Sequence, residues 1–144
     1  MSLHVQIVGR GGIIAEVTPG GHLVVGEHKF DETVPKNLSS INTAFNFYKP
    51  ISQKQFIIKG IVAKANKDVS TSTDADLVIY EGTSDSTTTV DKLLFEAAMT
   101  KHDSLILLGT NILVNEGIFL NAKTDDASIF VTIMGYYIRA LSLR

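Results

Sequence analysis

The chain contains no cysteine, no tryptophan and only three prolines. Without cysteine there are no disulfides, no thiolate metal ligands and no cysteine nucleophile. Charge is also sparse. Asp, Glu, Lys and Arg make up 19% of the 144 residues, and their balance is −2. No Lys/Arg cluster stands against that balance, so the cationic stripe that displaces counterions from phosphates is missing. The longest strictly aliphatic run, Leu105-Ile106-Leu107-Leu108, has the length of a strand, far short of the ~20 residues of a membrane span. The start, Met1-Ser2-Leu3-His4-Val5-Gln6, lacks a signal peptide's basic start and apolar core. These absences lead us to expect synthesis in the cytosol, or in a host's cytosol, with neither a membrane nor nucleic acid as direct partner.

What is present is strand-forming chemistry. Hydrophobic residues make up 44% of the chain, and Val, Ile, Thr, Phe and Tyr together exceed a third of it. β-branched and aromatic side chains suit a pleated, half-buried surface. A chain of this length forms one domain with at most a short appendage, and it buries a core without staples. The composition therefore predicts an all-β domain.

Along the chain, Leu3-Val5-Ile7 alternates as a half-buried strand does. Ile13 to Val17 and His22 to Val25 follow, separated by Gly9-Arg10-Gly11-Gly12 and Pro19-Gly20-Gly21. Three such short strands are too small to hold a core alone. Residues 26–40 read as a linker, because charged residues break the periodicity and Pro35 interrupts any ladder. Phe30, Val34 and Leu38 are its pegs. Longer strands follow from Ile41 onward. They include Ala44 to Tyr48, Gln55 to Lys64 with a bulge or bend expected at Gly60, and Asp76 to Glu81. Val90 to Thr100 fits either a helix or a strand, and the flanking strands favour the strand. Leu105 to Leu108, Asn111 to Val114, Gly117 to Lys123 and Ala127 to Ile138 complete seven or eight strands, the number of two antiparallel sheets packed face to face. The last run is apolar on both faces, so its second face needs cover from the N-terminal segment or another subunit.

Candidate chemistry is thin. The histidines His4, His22, His28 and His102 form neither a His-x-His nor a His-x-x-x-His pair, so no metal site is expected. His102-Asp103-Ser104 holds the residue types of a hydrolase triad, but consecutive residues cannot converge as one; a polar turn is expected. Gly9-Arg10-Gly11-Gly12 lacks the Walker spacing, and the Asp74/Asp76 and Asp125/Asp126 pairs lack a calcium-loop pattern. A sugar site of the stacking type would have to use Tyr48, Tyr80, Tyr136 or Tyr137, and Tyr136 and Tyr137 fall on opposite faces of the last strand. The expectation is a protein without catalytic residues or cofactors that works through its surfaces.

Two segments carry a resemblance. Val5-Gln6-Ile7-Val8-Gly9, Ala15-Glu16-Val17-Thr18-Pro19-Gly20-Gly21 and His22-Leu23-Val24-Val25-Gly26 resemble the N-terminal motif of small bacteriophage virion proteins. Glu116 to Thr124, then Ser128 to Tyr137, look like the final hairpin of the same proteins. The resemblance covers about a third of the chain. It implies a non-enzymatic virion structural protein, an antiparallel β-sandwich of jelly-roll type with a short N-terminal strand arm. Within that group, capsid cement (decoration) proteins form homotrimers on the head and bridge capsomers, so the implied partners are further copies of the chain and a major capsid or other virion protein. A tail or fibre protein, or a carbohydrate-binding module, is the alternative. On this reading residues 1–40 are arm and linker and residues 41–144 the sandwich. Leu3, Val5, Ile7, Leu23, Val25, Phe30 and Leu38 anchor the arm and linker, and Phe130, Met134 and Tyr136 form an interface on the last strand.

Overall fold

The computed structural model describes residues 6–8, 14–17, 23–25, 30–66, 74–126 and 128–140. All of its regular structure is β: eleven strands and, among the described residues, no helix. The chain divides into two compact units, Met1–Phe30 and Asp31–Arg144.

The first unit is a three-stranded antiparallel meander, β1 (Gln6–Val8), β2 (Ile14–Val17) and β3 (Leu23–Val25), in the order β1-β2-β3. Its pairing sets Ile7 opposite Ala15, Ala15 opposite Val25 and Val17 opposite Leu23. Three of the expected arm anchors, Ile7, Leu23 and Val25, lie on these strands; Leu3 and Val5 lie outside the described residues.

The second unit contains β4 (Glu32–Leu38), β5 (Phe45–Tyr48), β6 (Lys54–Ala65), β7 (Ala75–Gly82), β8 (Lys92–Met99), β9 (Ser104–Val114), β10 (Phe119–Thr124) and β11 (Ile129–Arg139). They form two four-stranded antiparallel sheets, β4-β11-β6-β9 and β5-β10-β7-β8. The pairing is nested. The first of these strands pairs with the last, β5 with β10, β6 with β9 and β7 with β8, as in one long hairpin rolled up on itself. Lateral pairs β11·β6 and β10·β7 then join the hairpin's layers into sheets.

One apolar cluster serves both sheets. The first sheet contributes Leu38, Phe56, Ile58, Ile61, Val114, Ile129, Val131 and Ile133; the second contributes Phe47, Leu77, Ile79, Met99 and Leu120. Strand alternation produces this sharing. In β11, for example, Ile129, Val131 and Ile133 are buried while Phe130 is exposed and Thr132 and Met134 are half-buried. Burial of each such aliphatic side chain is worth about 1.5–3 kcal/mol.

The structure corrects the linker reading of residues 26–40. Glu32 to Leu38 is a full strand, paired with β11 from Glu32 opposite Gly135 to Leu38 opposite Ile129. Pro35 is tolerated because β4 is an edge strand with a single neighbour, and a missing N–H costs nothing on the open side. Leu38 is fully buried in the core, so it is a packing residue of the second unit rather than a peg on a partner. Phe30, 37% exposed, closes the first unit. The 90–100 segment is a strand, β8, as its context predicted. Leu105 to Leu108 and Asn111 to Val114 prove to be one strand, β9, running through Gly109 at φ 72°. The irregularity expected at Gly60 is a register shift on both sides of β6: against β11, Lys59 is the extra residue of a bulge, and against β9 the extra residues lie in β9, between Leu108 and Ile112.

Candidate interaction surface

The outer faces of the two sheets differ in kind. Over the second sheet, the segment between β7 and β8 folds back and is clamped by three side chains. Tyr80 Oη donates to Thr87 O at 2.8 Å, Asn121 Nδ2 donates to Ser84 O at 2.8 Å, and Lys123 Nζ donates to Thr88 O at 2.8 Å. Asn121 Oδ1 in turn accepts from Asn46 Nδ2 at 3.0 Å, and the Lys123 ammonium lies 5.4 Å from the centre of the Tyr80 ring. Tyr80 and Asn121 are fully buried although their positions point away from the core, because this loop covers them. Burial pushes the Tyr80 phenol up to about 12. At the end of the sheet, buried Glu81 holds the turn after β9, accepting from Asn115 N at 2.8 Å and Asn115 Nδ2 at 3.2 Å.

The first sheet carries no such cover among the described residues. Ile106 is 66% exposed, Leu108 69% and Phe130 51%, and Leu113 and Ile138 are exposed as well. Register places them in adjoining rows: Thr132, Val62 and Ile106 across three strands, then Met134, Gly60 and Leu108, then Tyr136, Ile57 and Leu113. Gly60 joins these rows. A Cβ at that position would sit 2.8 Å from Met134 Cε and 3.3 Å from Leu108 Cδ2, so these two side chains close over the glycine into a continuous apolar ridge. Phe130, Met134 and Tyr136, expected on the interface side of the last strand, all lie on this face. Sequence reasoning missed Ile106 and Leu108, because Leu105-Ile106-Leu107-Leu108 is apolar at every position and gives no phase. The polar groups of the face are amides, hydroxyls and lysines. Lys64 stands opposite Phe130, and Lys59 on the bulge donates to Asn111 Oδ1. Asp and Glu do not occur among the described residues of this face.

A concavity of about 390 Å³ opens between the edge strands β4 and β5. Tyr48 and Tyr137 line it, but neither offers a free ring face. Tyr48 is 4% exposed and stacks on Phe56 with centroids 5.0 Å apart. Tyr137 packs on both rings, and the Lys54 ammonium lies 5.5 Å from its centre. The Tyr137 phenol donates to Glu32 Oε1, and its backbone N–H donates to Asp31 Oδ2 at 2.7 Å. Burial, then the Glu32 hydrogen bond and charge, raise the Tyr137 phenol well above its usual range. These rings hold the sandwich edge together, and none is presented for stacking on a sugar.

The His102-Asp103-Ser104 segment is a turn, as expected. Asp103 Oδ2 accepts from Thr100 N at 2.8 Å and Thr100 Oγ1 at 2.9 Å, which lowers its carboxyl pKa, and His102 adopts φ 66°. Asp125 likewise accepts from the backbone of Asp76 at 2.8 Å. His4, His22 and His28 lie outside the described residues. No family model, curated protein or solved structure matches the chain.

Proposed function

We propose that the chain is a non-enzymatic virion structural protein of jelly-roll type, a capsid cement protein that trimerises and bridges capsomers. The observation that carries this reading is the bare apolar face of β4-β11-β6-β9, set against a second sheet whose central strands β7 and β10 are covered by its own loop. Soluble monomers rarely leave a contiguous apolar patch of this kind, and such patches mark protein–protein contacts. The nested order of the eight strands supports the jelly-roll assignment, since it is a double-sheet roll of four strands over four. The resemblance of the two chain ends to phage virion proteins supports the virion location. The three-stranded meander, too small to hold a core alone, suits an arm laid on a neighbouring protein. On a symmetric shell, many modest contacts add up to high avidity.

Sedimentation velocity of the purified full chain tests the reading. A trimer at micromolar concentration is expected; a monomer throughout the range up to 100-fold higher would refute it.

A further inference from the structure

We infer that the outer face of the first sheet receives the β8 margin of a second copy of this chain. The inference rests on the self-assembly reading above and names the contact that carries it.

Two apolar strips on the second unit differ in their flanking charge. The first is the ridge of Ile106, Leu108 and Phe130, with Lys59 and Lys64 beside it and no Asp or Glu among the described strand residues of that face. The second lies at the start of β8, an edge strand of the other sheet, where Leu93 is 50% exposed and Val90, just before the strand, 37%. Its flanks carry exposed Asp91 and Glu96, with Lys92 between them, so this margin is net acidic. Stacking two copies of the ridge would set lysine against lysine with no acid to pair them, which disfavours a face-to-face dimer. Setting the ridge of one copy on the β8 margin of the next brings apolar to apolar and ammonium to carboxylate.

Symmetry agrees with this contact. A contact between two different patches is heterologous. It makes rings where its rotation closes, whereas an isologous contact stops at a dimer. A ring of three is the trimer proposed above.

Two variants of the full chain test it, Leu108→Glu on the face and Leu93→Glu on the margin. Both residues are at least half exposed, so neither change disturbs the core, and far-UV circular dichroism with a cooperative melt verifies folding. Each variant alone is expected to sediment as a monomer, with association at least tenfold weaker than wild type. An equimolar mixture is expected to form a one-to-one heterodimer, because L108E keeps an intact margin and L93E an intact face. If wild type assembles and L93E assembles equally well, the β8 contact is overturned while the self-assembly reading stands. The same holds if both variants dissociate but the mixture stays monomeric. If wild type itself is monomeric, both readings fall together.

Discussion

Gly135→Ala is expected to be the most damaging small substitution in the second unit. Gly135 lies in β11 at the register shift beside Met134, where the strand passes close over β6. An added Cβ would sit 2.1 Å from Ile57 O and 2.6 Å from Phe56 Cζ. A carbon–oxygen contact ordinarily lies near ~3.3 Å. Relief therefore needs a displacement of about 1 Å, and both obstacles resist it. Ile57 O is backbone in a central strand, and the Phe56 ring is stacked on Tyr48 and packed on Tyr137. Overpacking of a well-filled core costs about 1–3 kcal/mol, and more when the obstacle is main chain. We expect at least ~3 kcal/mol, a large part of the ~5–15 kcal/mol that holds a domain together, and a fall in Tm of about 10–20 °C. Two other glycines serve as controls. At Gly60 the nearest obstacle is the flexible Met134 methyl, so Ala there should cost under ~1 kcal/mol. At Gly109 nothing lies within 4 Å, but φ is +72°, so Ala should cost about 1–2 kcal/mol through backbone strain alone. Equilibrium urea unfolding with unchanged m-values gives all three numbers. A Gly135→Ala protein within ~1 kcal/mol of wild type, or one less damaged than Gly109→Ala, would refute the packing argument.

Two further outcomes follow from the same geometry. The Tyr80 phenol is raised to about 12 and that of Tyr137 is also raised, so absorbance at 295 nm should show phenols that stay protonated past pH 11 and ionise only as the fold opens. Because the folded pKa exceeds the unfolded one, this stabilisation is complete below about pH 10 and is lost as pH climbs from 10 to 12; simultaneous ionisation of all four tyrosines near pH 10 in a still-folded protein would contradict it. Removing Met1 to Gly26 should leave a cooperatively melting β protein, because the second unit has its own core, and should abolish docking onto a scaffold. Loss of the cooperative melt would mean that the arm belongs to that core.

Much of the architecture was legible in the order of residues. Period-two alternation in residues 129–134 and 75–79, with turn residues between runs, is enough to specify strands, because a strand buries every second side chain whatever its partners are. The bulge at Gly60 was legible for the same reason: Ile58 and Ile61 both turn inward, and only an extra residue between them permits that. The apolar second face of β11 was written in Phe130, Met134 and Tyr136. Other features were not local properties. Pro35 and the charged inward positions Glu32 and Lys36 made β4 look like a linker, and only its place at a sheet edge, with one neighbour and an open side, makes such a strand permissible. Leu38 looked like a peg for a partner until pairing with β11 put it inside the core. Tyr80 and Asn121 point away from that core and are buried all the same, by a loop whose return path no periodicity announces. Periodicity says which residues share a face. What lies against that face depends on which strands become neighbours, and chain segments far apart in sequence settle that together when they pack.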